Sequence, residues 1–169
     1  MLIIGASGSI GSVAVQLAKH FGATVSAVCS GANVEMLRSL AADGVIDYTK
    51  EDFTKDARTY DLIFDIAGAS SFSHCQQSLK PHGVFLQNIV GLTTLLRILW
   101  TSIAGGKKLK GGVAMEHPER MNFIAELVAA GKLKAVIDSS YPLERIAEAF
   151  KYVEQGHKKG NVVITVAHP

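Results

Sequence analysis

The chain has 169 residues, 48% of them hydrophobic and 19% charged, and a formal net charge of +2. This length is enough for one domain with a substantial core, and the composition is typical of a soluble, folded protein. The small net charge, with one local basic cluster at Lys107, Lys108 and Lys110, argues against a nucleic-acid partner. The most apolar window, residues 89–104, is short for a membrane span and carries Arg97, so we expect no membrane partner.

The chain contains two cysteines, Cys29 and Cys75, and begins without a basic, apolar leader segment. This pattern favours a reducing compartment over a disulfide framework, so we interpret each cysteine as a small buried hydrophobic residue and expect a cytoplasmic protein. The six histidines are scattered over predicted helices and turns, without the close spacing of a zinc site. We therefore expect no metal centre.

The first element is an apolar strand at residues 2–4, which runs into a glycine-rich turn and then a helix that ends near Phe21. In the usual G-x-G-x-x-G pattern the first glycine is replaced by Ala6, and an extra glycine precedes it. Glycines let a pyrophosphate approach the N–H groups at a helix N-terminus, so this turn predicts a dinucleotide site. A tight turn without a ligand is the alternative. The candidate binding residues are Gly5, Ser7, Gly8, Ser9, Ile10 and Gly11.

A second parallel strand is predicted at residues 24–28, and its end indicates which dinucleotide binds. Folds that prefer NAD place an Asp or Glu about 20 residues past the glycines, where it holds the ribose 2′-hydroxyl. Here the strand runs into residues 29–33, Cys-Ser-Gly-Ala-Asn, which include no acid. Hydroxyl, amide and backbone N–H groups can donate to a 2′-phosphate, so the sequence favours NADP over NAD. A plain turn of small residues is the alternative.

The rest of the chain alternates strands with helices at short spacing, which is typical of a doubly wound parallel sheet, a three-layer α/β/α Rossmann fold. The predicted elements of the middle are a helix at 33–40, a strand at 45–48, a surface turn or short helix at 52–58, a central strand at 62–65, a helix from an N-cap at Ser70 to Leu79, a turn at 80–83 and a fifth strand at 84–87. Those of the end are a helix at 92–104, a sixth strand at 109–114, a helix from Pro118 to Ala130, an extended piece at 134–137, a helix opened by Pro142 and ended by Gly156, and a last strand at 162–166.

Five motifs occur together along the chain. They are IIGASGSIG at 3–11, AKHFGA at 18–23, VIDY at 45–48, DLIFD at 61–65, and an ending that runs from YPLE at 141–144 to GNVVI at 160–164. As a set they resemble the cofactor-binding half of the medium-chain dehydrogenase/reductase family, most closely its zinc-independent, quinone oxidoreductase-like branch. The resemblance implies that residues 1–169 are a Rossmann domain without the family's N-terminal GroES-like catalytic domain. It also implies that the last strand belongs to the segment that rejoins that domain.

The resemblance further implies roles for individual residues. Gly8, Ser9 and Ile10 match the turn that holds the diphosphate, Ser30, Asn33 and Tyr48 match positions around the adenosine 2′-phosphate, and Ala67, Gly68, Asn88 and Ile89 match the strand ends where nicotinamide and its ribose lie. Asn33 stands where the family commonly has a lysine, which weakens the charge-assisted contact with the phosphate. Ala41 stands at a glycine of the family pattern.

The activity implied is hydride transfer between NADP(H) and a small-molecule substrate, a quinone or an α,β-unsaturated carbonyl or alcohol. Helix 92–104 would form one wall of the substrate site. No catalytic residue can be named, because the family's polarising groups come mostly from the absent domain. The strand at 109–114 resembles the edge through which such domains dimerise.

The same glycine turn also occurs in two other classes of protein. A short-chain dehydrogenase needs a Tyr-x-x-x-Lys pair as its acid, and none of the four tyrosines has a lysine four places on. A stand-alone dinucleotide-binding module without turnover stays open, since a Rossmann fold alone does not prove chemistry.

Overall fold

The computed structural model describes residues 1–88, 91–112, 117–156 and 158–166. The strands are β1 Leu2–Ile4, β2 Ser26–Cys29, β3 Gly44–Asp47, β4 Tyr60–Asp65, β5 Leu79–Gln87, β6 Lys108–Gly111, β7 Ile137–Pro142 and β8 Asn161–Thr165. The helices are α1 Ser9–His20, α2 Val34–Ser39, α3 Phe72–Cys75, α4 Leu92–Ala104, α5 Pro118–Ala129 and α6 Ile146–Glu154. No helix within these ranges is both long and apolar enough to cross a membrane.

Six strands form one parallel sheet in the order β3-β2-β1-β4-β5-β6, which confirms the predicted doubly wound fold. β1 lies at the centre with all three residues buried, because helices cover both faces of the sheet. On one face Leu2 and Ile4 pack with Phe85, and on the other Ile3 packs with Val15 and Leu37. The chain direction across the sheet reverses between β1 and β4, so a ligand crevice is expected at the carboxyl ends of these two strands.

The prediction for residues 70–83 is wrong in three places. Ser71, not Ser70, caps α3, since its hydroxyl accepts a hydrogen bond of 3.2 Å from the amide of His74. The helix ends at Cys75, and a 3-10 turn leads directly into β5. The predicted turn at 80–83 lies within β5, where His82 has a φ of +63° and the pairing with β4 shifts register. Proline and glycine here mark an irregular strand rather than its absence.

The C-terminal region also differs from the prediction. Only residue 137 of the extended piece predicted at 134–137 belongs to β7, which runs on to Pro142, and α6 begins only at Ile146 after a 3-10 turn. β7 pairs with β8 in a separate two-stranded parallel sheet. The polar centre of β7, Asp138 to Ser140, gives it a weak strand pattern. β2 starts two residues later than predicted and β6 spans 108–111, while residues 113 and 114 of the predicted sixth strand lie outside the described residues.

The β7–β8 region packs against the glycine turn and α1. The amide of Gly160 donates to the carbonyl of Ser7 at 2.8 Å. The side chain of Gln16 on α1 donates to the carbonyl of Lys134 at 3.0 Å and accepts from its amide at 2.8 Å. The two ends of the chain therefore meet at the carboxyl edge of β1.

Helix α4 turns most of its large apolar residues away from the sheet. Ile98 and Thr101 face inward, and the hydroxyl of Thr101 accepts a hydrogen bond of 3.2 Å from the amide of Leu109 on β6. The exposed large residues of this helix, spaced three and four apart, are Leu92, Leu95, Leu96, Leu99, Trp100 and Ile103. We call these six residues the α4 stripe.

Candidate functional site

The glycine turn joins β1 to α1 with no room for side chains at two positions. Gly5 has a φ of +80°, and a Cβ there would lie 2.9 Å from the Cβ of Ala67 at the end of β4. A Cβ on Gly11 would lie 2.2 Å from the carbonyl oxygen of Gly5. Gly8, the N-cap of α1, has an extended backbone and no protein atom closer than 3.7 Å to a built Cβ. The turn therefore brings the first amides of α1, which have no helical partner, to the sheet edge.

A cleft of 670 Å³ opens in front of this turn, over the carboxyl ends of β1, β2 and β4. The structure brings together seven of the predicted site residues in its lining: Gly5, Ser7, Gly8, Ser9, Ile10, Tyr48 and Ala67. Gly11 lies behind the turn as a packing contact. Lining residues that the sequence analysis did not single out as site residues are Ile4, Val28, Cys29, Phe53, Ile66, Ala69, Ser70, His74, Gly156 and Lys158.

An adjoining pocket of 310 Å³ contains the residues predicted around the 2′-phosphate. Ser30, Asn33 and Tyr48 line it together with Ser7 and two lysines of the C-terminal segment. Asn33 is only 7% exposed, and its amide nitrogen donates to the hydroxyl of Ser30 at 3.1 Å. Its Oδ1 is buried and has no hydrogen-bond partner among the described residues.

A carboxylate lies beneath the loop that follows β2. Asp47, at the end of β3, is 8% exposed, and a Cβ built on Gly31 would lie 2.6 Å from its Oδ2. The hydroxyl and amide of Thr49 donate to its Oδ1 at 2.7 and 3.0 Å, and the hydroxyl bond in particular holds the pKa of Asp47 below its usual range. No acidic residue follows β2 directly, but Asp47 of the neighbouring strand β3 places a carboxylate beneath the same loop.

Lys158 reaches the mouth of α1 from the other end of the chain. Its ammonium donates to the hydroxyl of Ser9 and, at 2.7 Å, to the carbonyl of Gly160. The Ser9 hydroxyl itself donates to the same carbonyl at 2.6 Å. No carboxylate of the described residues forms an ion pair with Lys158. The cleft therefore contains a cation without an acidic partner.

Only some of the residues predicted to contact the nicotinamide end of the dinucleotide line the cleft. Ala67 lines it, whereas Gly68, with a φ of +65°, and Asn88 do not. The amide of Asn88 donates to the carbonyl of Asp65 at 3.3 Å, which continues the pairing of β4 and β5. Ile89 lies outside the described residues. The buried Asp65 carboxylate accepts from the amides of Ala69 and Ser70 and so fixes the loop after β4.

Both cysteines are buried and free, as predicted. Burial raises the pKa of the Cys29 thiol to about 11, and the nearby Asp47 adds to the effect. Burial also raises the pKa of Cys75, although the Ser70 hydroxyl 3.0 Å away opposes the shift. Neither thiol is set up as a nucleophile. Within the described residues, no three His, Cys, Asp or Glu side chains form a group that could hold a metal ion.

A family model described as zinc-binding dehydrogenase matches residues 40–164. The chain belongs to this family. The match confirms the medium-chain dehydrogenase/reductase resemblance, including its quinone oxidoreductase-like branch.

Similar proteins are oxidoreductases about twice as long as this chain. The mitochondrial NAD(P)H oxidoreductase RTN4IP1 of Mus musculus is 37% identical over 98% of the chain and 47% of its own length. The chloroplastic NADPH-dependent alkenal/one oxidoreductase of Arabidopsis thaliana is 33% identical over 97% and 40%. The solved quinone oxidoreductase from Coxiella burnetii has a TM-score of 0.85 at 27% identity, over 98% of this chain and 52% of its own. The chain spans about half the length of the curated relatives it matches.

Proposed function

We propose that this chain is the NADP(H)-binding part of an oxidoreductase that transfers hydride between nicotinamide and a quinone or an α,β-unsaturated carbonyl or alcohol. The observation that carries the proposal is the glycine turn, where Gly5 and Gly11 leave no space for a Cβ. A ligand pyrophosphate needs this close approach to bare backbone at a helix N-terminus. The names of the similar proteins, which include NAD(P)H, quinone and alkenal oxidoreductases, support the same class of chemistry.

The residues of the cleft fit a bound dinucleotide. Gly8, Ser9 and Ile10 would hold the diphosphate at the mouth of α1, and Ser30, Asn33 and Tyr48 would surround the adenosine ribose. Ala67, Gly68, Asn88 and Ile89 stay the predicted contacts at the nicotinamide end. The nicotinamide supplies the hydride when bound, and this chain's own residues bind and orient it. No side chain of the described cleft is assigned as a general acid, so we propose that the chain is not catalytically complete alone.

Zinc independence stays a proposal that rests on the resemblance to the quinone oxidoreductase-like branch. The coding sequence ahead of Met1 distinguishes the proposed oxidoreductase from the alternative of a stand-alone sensor. A GroES-like domain encoded there would make the chain part of a larger enzyme. The cytoplasm stays the predicted compartment, although two of the similar proteins are mitochondrial and chloroplastic.

Binding of coenzyme tests the proposal directly. We expect NADPH to quench the protein fluorescence in a saturable way, and to bind more tightly than NADH. Gly8→Ala should weaken binding because the new methyl group stands where the diphosphate approaches, while stability is retained because no protein atom lies closer than 3.7 Å. Gly44→Ala, whose Cβ meets only the Ser26 hydroxyl at 3.5 Å, is the matched control. Absence of binding by either coenzyme would refute the proposal.

We also propose that two copies associate through the edge of the large sheet. Among the described residues β6 pairs only with β5, so its other edge offers free backbone groups. The exposed α4 stripe adjoins this strand and supplies apolar surface that a partner would cover.

A further inference from the structure

The pocket predicted for the 2′-phosphate contains no positive charge from the predicted residues. Ser30 offers a hydroxyl, Asn33 an amide and Tyr48 a phenol, all of them neutral. A phosphate monoester carries about −1.5 to −2 charges at pH 7. The buried carboxylate of Asp47 beneath the same loop adds a repulsive charge, and its nearest cation, Lys50, lies 3.7 Å away with a largely exposed side chain. Binding of a phosphate here therefore requires a cation from elsewhere.

That cation is present in the C-terminal segment. Lys158 and Lys159 line this pocket together with Ser30, Asn33 and Tyr48, although they lie more than a hundred residues later in the chain. We propose that Lys158 is the residue that gives this site its preference for a 2′-phosphorylated adenine dinucleotide, in place of the lysine missing at position 33. The inference rests on the proposed dinucleotide function and names the group that makes the site selective.

The position of Lys158 is fixed by the backbone around it. Gly160 has a φ of +52°, and a Cβ on it would lie 2.3 Å from the carbonyl oxygen of Val136. The backbone at Gly160 therefore packs tightly against Val136, the residue just before β7. The amide of Lys159 donates to Asp138 at 3.1 Å, and the hydroxyl of Tyr152 donates to the same carboxylate at 2.6 Å. These contacts hold the backbone of Lys159 and Gly160, the two residues that follow Lys158.

The present hydrogen bonds of Lys158 are ones that a phosphate can replace. Its ammonium is held by a hydroxyl and a carbonyl, which are neutral acceptors, and a phosphate oxygen forms a stronger, charge-assisted bond. Release of Lys158 leaves the Ser9 hydroxyl still bonded to the carbonyl of Gly160. When Lys158 exchanges these partners for a phosphate, it therefore loses hydrogen bonds to two neutral acceptors and breaks no ion pair.

Asn33 provides an independent indication of a ligand in this pocket. Its side chain is more than nine-tenths buried, and its Oδ1 has no partner among the described residues. A rotation of the amide by half a turn lets the Ser30 hydroxyl donate to the oxygen and leaves the NH₂ group without a partner. That NH₂ group then takes the buried position of Oδ1, in a side chain that lines the same pocket as Lys158.

The test compares dissociation constants for NADPH and NADH in the wild type and in Lys158→Gln. We expect the substitution to weaken NADPH binding roughly 10- to 100-fold, the loss typical of a charge-assisted hydrogen bond, and to leave NADH binding nearly unchanged. Lys158→Arg should restore most of the preference. Lys110→Gln, which removes one positive charge from β6 at the opposite edge of the sheet, should leave both constants unchanged. Equal weakening of NADPH and NADH would place Lys158 on the diphosphate and overturn the proposal, as would unchanged NADPH binding.

A smaller probe separates this inference from the proposed function. Adenosine 2′,5′-bisphosphate carries the 2′-phosphate without nicotinamide, and 5′-AMP lacks that phosphate. Binding of the bisphosphate that Lys158→Gln weakens, in a chain that binds neither coenzyme, would support the phosphate site and refute the hydride-transfer proposal. Failure of the wild type to distinguish the bisphosphate from 5′-AMP would overturn the inference, whatever happens to the coenzymes.

Discussion

Gly11 on α1 stands against the carbonyl oxygen of Gly5 so closely that a Cβ would lie 2.2 Å from that oxygen and 2.6 Å from the Cα of Ala6. The helix and the strand therefore meet through bare backbone. This contact sets the distance and angle at which α1 leaves the sheet, and with them the position of its first amides over the cleft.

Gly11→Ala should destabilise the fold because neither contact is with a flexible side chain. We expect the free energy of unfolding to fall by about 1–3 kcal/mol, the range found for overpacked cores. Urea unfolding followed by circular dichroism measures the change. Gly44→Ala should change stability much less, and equal losses in the two variants would contradict this account.

Ala41 is a site where the opposite substitution should help. It has a φ of +64° in the turn between α2 and β3, a conformation that costs an L-residue about 1–2 kcal/mol. Ala41→Gly removes that strain but loosens the unfolded chain, so we expect a net gain of about 0.5–1 kcal/mol in urea unfolding. Ala42→Gly, next to it, should lower stability instead, since it removes a methyl group packed against the core without relieving a positive φ.

The Cys29 thiol makes stability depend on alkaline pH. Its pKa is about 11 in the folded chain, mainly because of burial, against about 8.5 for a free thiol. Below about pH 8 both states keep the proton, and as pH rises above that value the unfolded state ionises first and is favoured. The difference in unfolding free energy between wild type and Cys29→Ala should therefore shift against the wild type from about pH 8 to about pH 10. A constant difference over that interval would show that the thiol titrates normally.

The α4 stripe is the surface on which the dimer proposal can be tested. Leu96 and Leu99 are 65% and 60% exposed, so their replacement by glutamate should not disturb the core. We expect light scattering to give the mass of a dimer for the wild type and of a monomer for the double variant. Met121→Glu, at an equally exposed position of α5, should stay dimeric. A monomeric wild type would refute the proposal.

The parts of the fold with strong local patterns were predictable from the sequence. β1 and the glycine turn follow from an apolar run next to glycines, and α4 was predicted with its observed ends because Gly105 stops it at a φ of +72°. β7 was missed because its centre is polar. Residues 80–83 were misjudged because proline and glycine are usually turn formers.

Ten of the seventeen residues that line the cleft were not singled out from the sequence. Ser30, Asn33 and Tyr48 could be named from the family pattern, but Lys158 could not, because the contact that places it joins residues 149 positions apart. The only signal was a pair of adjacent lysines just before the last strand, which a sequence alone cannot distinguish from a solvent-exposed turn.

The bond between the Gly160 amide and the Ser7 carbonyl has a consequence for how the molecule is made. β1 and α1 leave the ribosome before the C-terminal segment, so the cleft at the mouth of that helix is completed only when residues 158–160 have been made. During synthesis the early strands can pair while the coenzyme pocket is still open on one side. A nascent chain stalled before residue 158 should therefore already resist proteolysis across β1 to β5 and yet fail to distinguish one coenzyme from the other.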